Sequence, residues 1–186
     1  LKSSLIDVAC GTGDIGKLFL ENTKKDLAIT CVDQNKGMIT KGKEKLNKYK
    51  SIDWIVAPAE KLPLFDNTFN YYTISFGIRN VTDIPKALSE AYRVLKPGGR
   101  MLVLEFSQIP ISKLQKLYDL YSFNAIPKMG KLIVGDSDSY KYLVESIRKF
   151  PNQEDFLDML KNAGFENSKY RNLSLGIAAL HSGWKI

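Results

Sequence analysis

Histidine and cysteine are almost missing from this chain: its 186 residues include one histidine, His181, and two cysteines, Cys10 and Cys31. Two cysteines cannot make a disulfide framework, and one histidine leaves no cluster with metal-ligand spacing. Long apolar runs are missing as well. The longest charge-free stretch, Asn172 to Trp184, has 13 residues and is broken by polar groups, whereas a spanning helix needs about 20 apolar residues. No basic-then-apolar leader opens the chain, so nothing points to secretion. Acidic charge is the minority, with 20 Asp and Glu against 27 Lys and Arg and a net charge of +7. The chain starts at Leu1 without a methionine and soon enters an apolar run, which leads to the expectation that an N-terminal segment lies outside it.

What is present fits one folded domain. The composition is 44% hydrophobic and 25% charged, ordinary for a soluble globule, and a chain of this length buries roughly 70% of its unfolded surface. Short apolar runs alternate with helical stretches. Strands are expected at Leu5–Val8, Leu27–Val32 with Asp33 at its end, Ile52–Ala57, Tyr71–Phe76 and Met101–Phe106, and helices at Ile15–Glu21 and Gly37–Tyr49. Ile84, Ala87, Leu88, Ala91, Tyr92 and Leu95 mark one helical face, which Pro97-Gly98-Gly99 ends. Strands alternating with crossover helices predict an α/β, doubly wound parallel sheet. Ser112–Ala125 and Ser139–Phe150 read as tyrosine-rich amphipathic helices. Asn152 is placed to cap a helix over Gln153–Ala163, and Phe165–Leu173 with Leu175–Ser182 read as a closing antiparallel hairpin. The single domain thus spans 1–186, with a helical insertion at about 108–150.

GTGDIG (Gly11 to Gly16) follows the first strand, and Asp33 lies 22 residues after Gly11. That spacing fits a dinucleotide-binding turn, in which glycines let backbone approach the ligand and the acid takes a ribose hydroxyl. Asp14, directly after Gly13 at the helix N-terminus, opposes a diphosphate there. A ligand with a ribose and no phosphate, such as S-adenosylmethionine, suits the loop better. Asp33 would accept its ribose hydroxyls, and Asp7 would support the loop or the ammonium end. The bland alternative is that Gly11 and Gly13 only make a tight turn.

Longer segments carry a resemblance. DVACGTGDI (Asp7–Ile15), VDQNKGM (Val32–Met38), AEKLPLFDNTFN (Ala59–Asn70), TISFGIRNVTD (Thr73–Asp83), YRVLKPGGRMLVLEFS (Tyr92–Ser107), YDLYSF (Tyr118–Phe123), SYKYLVESIRKFP (Ser139–Pro151) and GIAALHSGWK (Gly176–Lys185) resemble the ubiquinone/menaquinone biosynthesis C-methyltransferases. The glycine loop and LKPGG are shared by many methyltransferases; FGIRNVTD and SYKYLVESIRKFP are much more specific. The resemblance implies a Rossmann-like class I S-adenosylmethionine-dependent fold, with a mostly parallel seven-stranded sheet and a C-terminal antiparallel hairpin. It also implies methyl transfer from S-adenosylmethionine to a ring carbon of a membrane-borne polyprenyl quinol.

By motif match, the implied cofactor residues are Gly11, Thr12, Gly13, Asp33, Pro58, Ala59 and Ser75. The implied catalytic pair is Arg79 and Asn80, with Arg79 holding the developing oxyanion and Asn80 orienting a hydroxyl or a water. The alternative for Arg79 is a structural pairing with an acid such as Glu105 or Asp83. Three departures from the family pattern stand out. Cys10 replaces a glycine, Asn70 a common aspartate, and Pro58 a residue with a backbone N–H. The family's N-terminal helical segment is missing from the sequence. His181, remote in sequence from the cofactor residues, reads as a structural histidine. Tyr118, Tyr121, Tyr140 and Tyr142 read equally as quinol pocket or core, and Arg148 as substrate ligand or helix cap.

The substrate implies peripheral membrane contact and a cytoplasmic site at the inner membrane face, or the mitochondrial matrix side in a eukaryote. A homodimer is a family expectation. The lysine-rich stretch holding Lys36, Lys41, Lys43, Lys45, Lys48 and Lys50 reads first as a solvated face and second as a lipid-docking one. Nucleic acid is not expected: no adjacent prolines follow the fourth strand and no Pro-Cys occurs. RNA methylation and a catalytically silent cofactor-binding assembly protein are the alternatives. Salt-sensitive RNA binding would mark the first, and cofactor binding without turnover the second.

Overall fold

The computed structural model describes residues 3–23, 27–108 and 137–186. The alternating pattern becomes β1 (Ser3–Val8), α1 (Asp14–Asn22), β2 (Leu27–Asp33), α2 (Lys36–Lys45), β3 (Ile52–Val56), β4 (Phe69–Ser75), a 3-10 turn (Ile78–Asn80), α3 (Ile84–Val94) and β5 (Leu95–Phe106). From residue 137 onward come α4 (Ser137–Lys149), α5 (Gln153–Asn162), β6 (Glu166–Leu173) and β7 (Ala178–Trp184). The helix expected at Ser112–Ala125, with Tyr118 and Tyr121, lies outside the described residues, as does the side chain of Tyr140.

The seven described strands form one sheet in the order β3-β2-β1-β4-β5-β7-β6. Strands β1 to β5 pair in parallel, and β7 runs antiparallel to both β5 and β6. The expected hairpin is therefore present, with its second strand inserted next to β5. Strand order reverses between β1 and β4. In open α/β sheets a crevice forms at such a switch point, beyond the carboxyl ends of the strands.

Each face of the sheet has its own apolar cluster, because successive side chains of a buried strand point opposite ways. On one face Leu5, Ile29 and Cys31 pack with Phe19 and Leu20 of α1 and with Leu46 and Trp54. On the other, Ile6, Val8, Tyr72, Ile74 and Val103 meet Ala87, Leu88 and Ala91 of α3 and Phe156 and Leu160 of α5. The stripe read from the sequence is the buried face of α3, whose N-cap Asp83 accepts from Lys86 N. Asn152 caps α5 as expected, accepting from Glu154 N and Asp155 N.

Several boundaries differ from the sequence reading, two of them with a visible cause. β4 begins at Phe69, because Asn70 joins its start to β1: Ser4 N donates to Asn70 Oδ1 at 3.1 Å, and Ser4 Oγ donates to the same oxygen at 3.2 Å. An aspartate at position 70 could accept both bonds equally well. β5 begins at Leu95, and Gly98 takes φ 78° as the ladder to β4 slips. That segment pairs instead with the chain's end, Gly98 N donating to Lys185 O at 2.7 Å and Lys185 N to Gly99 O at 3.0 Å.

Candidate functional site

The loop after β1 is built by its own backbone. Cys10 N donates to Val32 O (3.1 Å) and Gly13 N donates to Cys10 O (2.9 Å), so the Cys10 side chain is not needed for the turn. Gly11 has φ 56°, and a Cβ there would meet no atom within 4 Å; its backbone borders open space. Asp33, at the end of β2, clamps the loop. Its Oδ2 accepts from Gly11 N at 2.9 Å and its Oδ1 from Asn35 N at 2.8 Å. Each oxygen keeps a further lone pair for a ligand hydroxyl. Asn35 in turn caps α2, accepting from Gly37 N and Met38 N.

A cavity of about 280 Å³ lies at the switch point, with Gly11, Asp33, Met38 and Ala59 toward the loop and Phe76 and Asn80 toward β4. Of the residues expected from sequence, Gly11, Asp33, Ala59 and Asn80 line it; Thr12, Gly13, Pro58, Ser75 and Arg79 do not. The hydroxyl of Thr12 donates to Asp14 Oδ2 (2.9 Å) and accepts from Lys45 Nζ (3.1 Å). Lys45 also pairs with Asp14 at 2.7 Å, and these bonds hold the Asp14 carboxyl below its ordinary range. Asp14 is therefore no bare charge at the helix N-terminus, and its opposition to a diphosphate is weaker than the sequence reading has it. Gly13 is the N-cap of α1. Pro58 is exposed and Ser75 half-buried, the latter opposite Leu104 in the ladder. Asp7 is buried on the α1 side rather than at the cavity, with Thr73 Oγ1 donating to its Oδ1 at 2.8 Å. Burial pushes its carboxyl up to about 7.

The turn after β4 is tightly constrained. Phe76 takes φ 56°, in the left-handed region, and its N–H donates to Leu104 O at 2.8 Å. A Cβ on Gly77 would collide with the Cβ of Ala9, so this turn and the glycine loop meet backbone to backbone. Arg79 closes the structure: Nη1 lies 2.8 Å from Glu105 Oε1, Nε donates to Ser146 Oγ at 3.3 Å, and Nη1 also donates to the Phe76 carbonyl. The guanidinium sits 5.4 Å from the Phe106 ring centroid, and that ring is 4.7 Å from Phe76. Only 10% of the Arg79 side chain and 2% of that of Glu105 are accessible. An acid thus stands beside the group expected to hold the oxyanion. The acid at the end of β5 competes for the guanidinium inside a low-dielectric site, and the structural alternative is the arrangement found.

Asn80 does face the cavity, and its Oδ1 accepts from Tyr142 Oη at 3.0 Å. Sequence reasoning missed Phe76 and Met38 as wall residues, although both sit inside quoted motifs. It also missed Glu60, whose Oε1 accepts from Thr82 N (3.0 Å) and Asp83 N (3.3 Å), tying the loop after β3 to the start of α3. Those bonds join residues far apart in the chain, and only the three-dimensional fold brings them together.

His181 is buried on β7 between Phe156 and Tyr170, its Nε2 3.0 Å from Gln153 O. Burial lowers its pKa. It lines no part of the cavity, in line with the structural reading. Among the described residues there is no group of three or more His, Cys, Asp or Glu able to hold a metal ion.

Known proteins share both the sequence and the fold. The family model described as "ubiE/COQ5 methyltransferase family" matches residues 2–185. The ubiquinone/menaquinone biosynthesis C-methyltransferase UbiE of Ruegeria sp. (strain TM1040) is 60% identical over 185 residues, covering 98% of this chain and 74% of that protein. A SAM-dependent methyltransferase from Aquifex aeolicus superposes with TM-score 0.69 at 18% identity, covering 100% of this chain and 85% of that one. Phosphoethanolamine N-methyltransferase 2 of Haemonchus contortus, solved with S-adenosyl-L-methionine, superposes with TM-score 0.73 at 16% identity, covering 99% and 49%. The two structures share the class I methyltransferase fold; the sequence match over nearly the whole length goes further, and this chain belongs to the ubiE/COQ5 methyltransferase family.

Proposed function

We propose that this chain transfers a methyl group from S-adenosylmethionine to a ring carbon of a polyprenylated benzoquinol or naphthoquinol; its relatives are named as C-methyltransferases of ubiquinone/menaquinone biosynthesis. The observation that carries this reading is the cavity itself: a carboxylate, Asp33, from the end of β2 and a side-chain amide, Asn80, from the turn after β4 both line it. The residues fit the cofactor. Asp33 has lone pairs for two ribose hydroxyls, and the open space over Gly11 lets a ligand approach backbone that no side chain guards.

When bound, S-adenosylmethionine supplies a methyl group that is already electrophilic. The chain's task is to produce and align a carbon nucleophile. A quinol hydroxyl that gives up its proton places charge on the ring carbon ortho to it. That carbon takes the methyl group as the methyl–sulfur bond breaks, S-adenosylhomocysteine leaves, and the ring proton then passes to water to restore aromaticity. Asn80 donates a hydrogen bond to the quinolate oxygen and orients a water that takes the hydroxyl proton. Arg79 acts through the turn, holding the Phe76 carbonyl and Glu105 so that Asn80 and the Phe76 ring face the cavity.

A prenylated substrate resides in the bilayer, so the reading includes peripheral contact with a membrane surface at the cytoplasmic or matrix side. Among the described residues no helix is long and apolar enough to cross a membrane. Calorimetric titration with S-adenosylmethionine, S-adenosylhomocysteine and NAD tests the cofactor: the first two are expected to bind and NAD not. Binding of NAD alone would overturn the reading.

A further inference from the structure

We propose that Tyr142 is a positioning residue for methyl transfer: its hydroxyl holds the Asn80 amide by its oxygen and leaves the donor end to the substrate. The inference rests on the role given to Asn80 above and assigns the residue that enforces it.

Tyr142 and Ser146 stand four residues apart on α4, hence on one face of the helix. They hold consecutive residues of the turn after β4. Ser146 Oγ accepts a hydrogen bond from Arg79 Nε at 3.3 Å, and Tyr142 Oη donates to Asn80 Oδ1 at 3.0 Å. A side-chain amide has an acceptor end and a donor end of nearly equal shape. With its acceptor engaged by Tyr142, Asn80 has Nδ2 and its two hydrogens left for the cavity. A quinolate oxygen needs a donor. The reversed amide would turn a carbonyl oxygen toward the same charge and oppose its formation. The Tyr142 hydroxyl donates to the amide oxygen and so supports the orientation that the quinolate needs, and a phenylalanine at this position would leave the amide unheld.

The rest of the environment separates this role from a packing role. Tyr142 is 58% exposed, so it fills no core, and the Ser146–Arg79 contact keeps the helix against the turn independently of the hydroxyl. Tyr142→Phe therefore removes one hydrogen bond and little else.

The test is steady-state kinetics on four proteins: the parent, Tyr142→Phe, Asn80→Ala and the double variant. The probe is a short-prenyl benzoquinol or naphthoquinol, and S-adenosylmethionine affinity is measured in parallel by calorimetry. Tyr142→Phe is expected to lower kcat by about three- to tenfold, the range for losing one orienting hydrogen bond. Its cofactor affinity and melting temperature should stay at parent values. In the Asn80→Ala background the same change should alter kcat by less than about twofold, because a residue acting through Asn80 has nothing left to orient. Parent-like kcat in Tyr142→Phe would overturn the proposal. So would an equal loss in both backgrounds, which would mean that Tyr142 acts without Asn80. Parent-like turnover in Asn80→Ala alone would instead remove the role of Asn80 on which the proposal stands.

Discussion

Arg79 and Glu105 form an ion pair of 2.8 Å between the turn after β4 and the end of β5, with both side chains nearly closed to solvent. Removing one partner of such a pair leaves an uncompensated buried charge and costs about 3–5 kcal/mol. Arg79→Ala should therefore lower unfolding stability by that order in urea denaturation. Replacing both residues by apolar ones of similar volume, as in Arg79→Met with Glu105→Leu, should recover most of it. Turnover in Arg79→Ala should fall together with the order of the turn. A variant with parent stability and abolished methyl transfer would show instead that Arg79 touches the reacting atoms.

The outcome at Arg79 shows where the sequence stops being readable. Periodicity exposed the alternating elements, the α3 stripe and the Asn152 cap, since each depends on residues within a few positions of one another. Asp33 was legible for a similar reason, because loop, strand and acid recur at a fixed spacing. The partner of Arg79 lies 26 residues away on another strand, and two acids were open to it until the parallel register of β4 with β5 selected Glu105. The surroundings of Thr12 were illegible for the same reason: Lys45, which bonds its hydroxyl together with Asp14, lies 33 residues away.

Asp33→Asn tests the cofactor end. The native carboxylate accepts from two backbone N–H groups, and an amide would turn a donor toward one of them. The variant should bind S-adenosylmethionine about 10- to 100-fold more weakly, the range for one or two hydrogen bonds to a charged acceptor. Calorimetry reads it directly, and unchanged affinity would remove Asp33 from the site.

Gly77→Ala should disrupt the site for steric reasons alone. Gly77 has φ −119°, open to any residue, but its new Cβ would strike that of Ala9. Overpacking of this kind costs about 1–3 kcal/mol. Ala9 itself sits at φ 51°, where glycine is more comfortable. The pair Gly77→Ala with Ala9→Gly should thus recover stability and cofactor binding, as thermal melts with and without S-adenosylmethionine would show.

Two buried groups give opposite pH dependences. Burial raises the Asp7 carboxyl to about 7 from an ordinary 3.8. Its contribution to stability is therefore complete at pH below about 4 and declines as pH rises through 7. Asp7→Asn, which keeps an acceptor for Thr73, should gain on the parent by about 1 kcal/mol or more between pH 5 and pH 8. Burial lowers the His181 pKa below its ordinary 6.5, so its contribution is complete above pH 6.5 and is lost as pH falls. His181→Asn should flatten the acid side of the stability profile and still turn over substrate where it is folded. Urea unfolding across pH 4 to 9 follows both.

The most direct measurement is methyl transfer itself. Incubating the enzyme with methyl-labelled S-adenosylmethionine and a prenylated quinol, then locating the label by mass spectrometry and NMR, tests transfer to ring carbon. One labelled methyl on the carbon ortho to a quinol oxygen, formed more slowly by Asn80→Ala, is the predicted result. Label on oxygen, or binding of S-adenosylmethionine with no labelled quinol formed, would contradict it.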